Sequence, residues 1–287
     1  MRNFVTVGVL LSAALLAFAP VASAQKPGME VPVITPGPGW KTCPRCENDA
    51  HVADDRAKAK VDTHPFDAHD LSGLWGNNGI QLDFKNRPSF TAEGQKLYDA
   101  LAKEVDQPND HTVAAKDPLL ICDPLGTVRA FGYNYGMEFV QLPDRVLQFF
   151  EWSHTWRTIW TDGRKLPPSP PIQRYFGYSV GHWDKDTFVV DSNGYDERAL
   201  LSADATKPVF PHSDDMKIVE TYKRTDYGKL QASLTINDPK VYTKPWTASG
   251  EILLLPNAEI GEYLCVPSDS IDFNTRQTIP AGVSATK

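Results

Sequence analysis

Between Met137 and Val266 the chain breaks into short strand-like stretches, two of which alternate apolar with polar residues at a period of two, and this pattern narrows its fold more than any other feature. Over residues 229–237, Leu230, Ala232, Leu234 and Ile236 fall on one side and Gln231, Ser233, Thr235 and Asn237 on the other. Over 216–225, Met216, Ile218 and Tyr222 share a side against Lys217, Thr221 and Lys223. Successive strand side chains point to opposite faces, so such stretches build a sheet that is dry on one face and wet on the other.

Further strand-like stretches occupy 137–142, 145–152, 155–160, 175–183, 187–192, 251–255 and 262–266. Turn formers separate several of them: Pro143-Asp144, Thr161-Asp162-Gly163, Asp184-Lys185-Asp186 and Asp226-Tyr227-Gly228. Strands joined mostly by short turns form an antiparallel meander. A long meander curls or closes, because closure removes its unpaired edges. The fold class expected is all-β with minor α, an up-and-down barrel first and a curved sandwich second. The 23 prolines agree with it. One short helix is expected over 91–105, capped by Thr91, with Glu93 in its first turn and Leu97, Tyr98, Leu101 and Val105 at helical spacing.

The N-terminal 24 residues read as a cleaved signal peptide. Arg2 precedes a mostly apolar run, Pro20 breaks it, and Ala22-Ser23-Ala24 offers small residues before a cut after Ala24. No later stretch approaches the ~20 apolar residues of a membrane-spanning helix. A periplasmic or secreted protein is therefore expected. Residues 25–68 form a Pro-rich lead-in that either packs on the body through Trp40 or stays free of it, and 69–287 form the barrel-like domain. Without Arg2 the chain keeps 28 of its 29 Lys and Arg against 36 Asp and Glu, a formal charge of −8 that disfavours nucleic acid as partner. Four cysteines allow three pairings; Cys43–Cys46 as a local loop and Cys122–Cys265 as a long-range staple are expected in an oxidising compartment.

Asp70-Leu71-Ser72-Gly73-Leu74-Trp75 resembles the Gly-x-Trp opening of lipocalin-like (calycin) barrels. A longer string runs from Cys122-Asp123-Pro124-Leu125-Gly126-Thr127-Val128-Arg129 through Pro143-Asp144-Arg145-Val146, His154, and Asp162-Gly163-Arg164. It continues through Tyr178-Ser179-Val180-Gly181-His182-Trp183, His212-Ser213-Asp214, Thr235-Ile236-Asn237-Asp238-Pro239, Tyr242-Thr243-Lys244-Pro245-Trp246 and Glu262-Tyr263-Leu264-Cys265. That string is similar to a widespread, uncharacterised family of exported bacterial β-rich proteins. The resemblance implies a lipocalin-like barrel body and export, and no particular activity.

Glu220 shares the apolar face of Met216, Ile218 and Tyr222, so it is expected inside, where an unpaired carboxylate costs on the order of several kcal/mol. Arg224, next on that face, is its expected partner. Trp152, His154, Trp156, Thr158 and Trp160 recur at a spacing of two, which would put three indoles and an imidazole on one surface with Arg157 and Ile159 facing away. Such indoles either pack a core or wall an aromatic ligand. His154 would supply a group that titrates near neutral pH.

His212-Ser213-Asp214 is not a triad, whose members converge from separate elements, and no Gly-x-Ser-x-Gly elbow is present. Asp214 and Asp215 are expected in a loop hydrogen-bond network at the strand start. Asp184-Lys185-Asp186 beside His182 reads as a hairpin turn before it reads as a metal site. Cys43-Pro44-Arg45-Cys46 lacks the His that haem c attachment requires, and a zinc there would need His51 and His64. No cofactor is named by the sequence.

Three functions remain open. The first is an exported protein binding a small apolar or aromatic molecule in the barrel, with Trp152, Trp156, Trp160 and Tyr222 as wall and Arg157, Arg224, His154 and Glu220 as polar contacts. The second is a lyase, isomerase or hydrolase with His154 and Glu220 as acid and base. The third is a structural or envelope-interaction protein with a filled core.

Overall fold

The computed structural model describes residues 65–76, 80, 82–83, 86–105, 122–133, 135–201, 210–256 and 258–267. The expected signal peptide, nearly all of the lead-in and the Cys43–Cys46 pair lie outside the described residues.

Nine strands form one closed barrel in chain order: β1 (Gly73–Gly76), β2 (Gly136–Leu142), β3 (Arg145–Phe150), β4 (Thr155–Trp160), β5 (Tyr178–Asp184), β6 (Thr187–Asn193), β7 (Lys217–Asp226), β8 (Lys229–Asn237) and β9 (Trp246–Leu254). The expected meander was wholly antiparallel; the structure departs from it once, where β4 and β5 run parallel through Ile159–Ser179 and Trp160–Val180. Parity explains this. An odd number of strands cannot alternate direction all the way round a closed ring, so one pair must be parallel. Parallel neighbours need a long connection, and residues 161–177, carrying Pro167, Pro168, Pro170 and Pro171, supply it.

Some strand limits also differ from expectation, β3 ending at Phe150 and β5 starting at Tyr178 among them. The stretch 262–266 is not a strand, and only Tyr263 makes an isolated bridge, to Trp152. β9 begins earlier, at Trp246, because its pairing with β8 starts at Ile236–Trp246.

Among the described residues two helices are present where the sequence predicts one. α1 (Ala92–Val105) is the one read from the sequence, and the Gly94 N–H donates to Thr91 Oγ1 at 3.0 Å as a capping residue requires. Its Gly94 lies so close to Val241 that a Cβ there would meet the Val241 carbonyl oxygen at 2.2 Å. α2 (Thr127–Gly132) escaped because its single short turn is buried nearly all round, Arg129 included, and shows no amphipathic period.

The alternation of strands gives the barrel two unlike ends. Tight turns at 143–144, 185–186 and 227–228 close one end; α2, the turn at 151–154 and the connections around Tyr195 and Tyr242 cover the other. Between them apolar side chains pack the interior, and Phe139, Ile159, Phe188, Val190, Ile218 and Ile236 are all 0 % exposed. At Gly181 a Cβ would meet the Phe188 ring at 2.5 Å and Ile159 Cγ2 at 2.8 Å, so any larger residue there would force one of them to shift. Among the described residues no helix is long and apolar enough to cross a membrane.

Candidate functional site

Glu220 is inside the barrel, as its place on the apolar face of β7 requires, but its partner is not Arg224. The Arg157 Nη1 and Nη2 groups donate to its two carboxylate oxygens at 2.8 and 2.5 Å, and the Tyr222 hydroxyl donates to Oε2 at 2.5 Å. Arg157 Nε donates to Gln148 Oε1 at 2.7 Å, and Gln148 in turn reaches the Met137 sulfur. Burial works against the guanidinium's charge, yet the Glu220 carboxylate outweighs it and holds the Arg157 pKa above its ordinary value. Burial and the same carboxylate push the Tyr222 hydroxyl well above the usual tyrosine range. The cluster is a closed set of partnered groups in a dry core. It fixes geometry and offers no free acid or base.

Arg224 fills a different place. Its guanidinium donates to the Tyr227 carbonyl at 3.1 and 2.6 Å and to the Asp70 carbonyl at 2.6 Å, with the Asp70 carboxylate at 3.7 Å. The Trp75 and Tyr227 rings lie 5.5 and 5.4 Å from it. Arg224 thus ties the chain ahead of β1 to the β7–β8 turn at the tight-turn end.

The expected indole wall inside the barrel is overturned. β3 and β4 pair Phe150 with Thr155 and Gln148 with Arg157, which puts Arg157 and Ile159 on the inward side with Gln148 and Phe150. Trp156 and Trp160 therefore face outward. Trp156 is 56 % exposed, with the Phe149 ring 6.4 Å away. Trp160 lies between Arg145 and Arg164, whose guanidinium carbons stand 4.2 and 3.6 Å from the ring centroid. Trp152 belongs to neither strand: Ser153 and His154 take φ values of 56° and 48°, and this turn ends the stretch expected to run to 152.

Trp152 and His154 hold the segment that follows β9, described over 255–256 and 258–267, which acts as a strap along the barrel's outside. His154 Nε2 is 2.8 Å from the Gly261 carbonyl oxygen. Glu151 accepts from the Gly261 and Gly136 N–H groups at 3.0 and 2.7 Å. Tyr263 stacks on Trp152 at 4.7 Å, and the Cys122–Cys265 disulfide, as expected, secures the strap's far end beside α2. His154 is exposed, whereas Glu220 is sealed in the core, so the acid–base pair expected of them does not share a site.

The other sequence candidates also resolve into structure. Ser213 donates to Asp238 Oδ1 at 2.7 Å, not to His212, and Lys240 bridges Asp214 and Asp215 at 2.7 and 3.1 Å. His212 is buried, and desolvation pushes its pKa below the ordinary imidazole value against smaller opposing effects from the Ser213 backbone and Asp238. Asp184 and Asp186 flank the β5–β6 turn, where Lys185 takes a φ of 52°. Among the described residues no three His, Cys, Asp or Glu come together as a metal site.

Sequence reasoning missed a cleft of about 580 Å³ at the rim of the barrel's tight-turn end, lined both by outward residues of β1 and β2 and by the inward-facing Arg224 and Leu254. It lies where β1 and β9 share only two paired positions, Trp75–Leu254 and Gly76–Leu253, before the Leu255 N–H takes the Leu74 carbonyl at 2.8 Å. Leu74 and Glu138 sit opposite each other on the outward face of β1 and β2, and the strap residues Leu255, Pro256, Glu259 and Ile260 form the facing side. Asp70, Ser72, Arg224 and Tyr227 complete the lining. The only sequence sign was Leu74, an apolar residue on the polar side of the Gly-x-Trp stretch. Comparison with known protein families, with characterised proteins and with solved structures gives no match.

Proposed function

We propose that this is an exported, non-catalytic binding protein whose small-molecule ligand sits in the cleft under the strap rather than in the barrel interior. The cleft's position carries this reading: about 580 Å³ of concave, partly apolar space lies outside a core whose own side chains fill it. Leu74, Leu254, Leu255 and Ile260 offer the apolar contact and Asp70, Glu138 and Tyr227 the polar ones. The leader-like residues 1–24 and the Cys122–Cys265 bond support export.

Native mass spectrometry of protein purified from the periplasm tests it, with Ser72→Trp as the blocking variant. Ser72 lines the cleft and is exposed, so an indole there fills space without entering the core. A molecule that co-purifies with the wild type and is absent from Ser72→Trp supports the reading. One that stays with Ser72→Trp contradicts it.

A second reading, a filled-core protein acting through its surface, is favoured by the outward Trp156 beside Phe149. Under it, Trp156→Ala abolishes partner capture while Ser72→Trp has no effect.

A further inference from the structure

The cleft's charge and the sheet face that continues it point to one ligand class. We infer that the cleft takes an organic cation with an apolar body, an alkyl- or arylammonium, an inference that rests on the cleft being the binding site.

Four charged groups line the cleft, and two of them cancel. Arg224 is 5 % exposed, its guanidinium spent on the Tyr227 and Asp70 carbonyls and balanced by the Asp70 carboxylate at 3.7 Å. It has little left with which to clamp an anion. Asp70 is engaged in turn, since its Oδ1 accepts the Ser72 N–H at 2.9 Å. Glu138 and Glu259 have no hydrogen-bond or ion-pair partner among the described residues, and no lysine lines the cleft. Among the described residues the uncompensated charge of the lining is therefore negative, and it shares the cleft with Leu74, Leu254, Leu255 and Ile260. An apolar body with a positive head matches that pairing. An anion meets repulsion, and a neutral molecule leaves the carboxylates as they were.

The register extends the site beyond the cleft. Leu74 stands opposite Glu138, Glu138 opposite Phe149, and Phe149 opposite Trp156, so one outward row crosses β1 to β4. The Glu138 carboxylate thus sits between an aliphatic side chain and two aromatic rings, one of them 56 % exposed. Aromatic faces attract ammonium groups, and a neighbouring carboxylate adds to that attraction. Glu138 would orient the head group and the aromatic row would favour substituted over bare ammonium.

Thermal-shift titrations with hexylammonium, hexanol and hexanoate, at low salt, test this on the full chain. Hexylammonium is expected to raise the Tm and to bind more tightly than hexanol, with hexanoate giving no shift. Glu138→Gln should weaken hexylammonium about fivefold, the size of a partly screened ion pair, and weaken hexanol by much less. Because Glu138 makes no bond that the fold needs, its variant should keep the wild-type Tm without ligand, and equal near-ultraviolet spectra confirm its folding. Hexanol binding as tightly as hexylammonium, both blocked by Ser72→Trp, overturns the cation and leaves the cleft standing. Preference for hexanoate, or a Glu138→Gln variant that binds hexylammonium as the wild type does, also overturns it. If none of the three binds the wild type, the cation and the cleft fall together.

Discussion

Arg157 and Glu220 reach each other through the barrel interior from β4 and β7, strands that are not neighbours, with side chains only 2 % and 1 % exposed. A charge pair so placed does more to define which strands enclose the core than to stabilise them. Desolvating two ions is costly, and their attraction about offsets that cost.

Removing one partner should therefore be far worse than removing both. Glu220→Gln leaves Arg157 charged and uncompensated in the core and should cost about 3–5 kcal/mol in urea unfolding. Arg157→Met combined with Glu220→Leu should recover most of that loss. A double variant as unstable as the single one would show that the pair itself is a large source of stability.

Gly181→Ala tests the close packing of β5 against β4 and β6. The added methyl meets Phe188 and Ile159 well inside contact distance, so one of them must move. A loss of about 1–3 kcal/mol is expected from denaturant midpoints. A neutral substitution would mean that the interior has slack.

Much of this barrel was legible because its strands bury one face. β7 and β8 alternate cleanly, and that alternation alone placed Ile218, Glu220 and Tyr222 inside. β4 was harder. Its inward side carries Arg157 and its outward side two indoles, so residue type pointed the wrong way, and only the Phe150–Thr155 pairing decides the face. Partner choice was also hidden. Arg224 is near Glu220 in sequence and on the same strand face, whereas Arg157 arrives from a distant strand through closure of the ring. The cleft left little trace, because it depends on how the strap after β9 crosses β1, a matter of tertiary packing.

His212 should make stability depend on pH below neutrality. Burial holds its folded-state pKa below the ordinary 6.5, so as pH drops under 6.5 the unfolded chain takes up a proton that the folded chain refuses. The unfolded state then binds more protons, and stability falls with pH by up to about 1.4 kcal/mol per unit until His212 itself titrates. Asp144, Asp162, Asp196 and Asp214 are held below 3.8 by hydrogen bonds to Arg145, Arg164, Arg198 and Lys240, so their contribution is lost only in more acidic solution. Urea unfolding of wild type and His212→Gln between about pH 5 and 7 separates the two windows. The variant should lose the slope; an unchanged slope would assign it to other groups.

The Cys122–Cys265 bond should matter to the strap and to the whole fold. It closes a sequence separation of 143, and its loss through Cys122→Ser with Cys265→Ser should cost about 2–5 kcal/mol. Hydrogen exchange should speed up at Tyr263 and Leu264, while Gly261, held by Glu151, responds less. Uniform acceleration across the barrel, with no excess in the strap, would count against the strap as a separately anchored element.

Methyl-resolved NMR during a titration with hexanol or hexylammonium addresses the central claim most directly, that the ligand site is outside a filled barrel. Shifts are expected at Leu74, Leu255 and Ile260, with Ile159, Val190, Ile218 and Ile236 unmoved. Shifts at those four interior residues, with the cleft methyls silent, would contradict it.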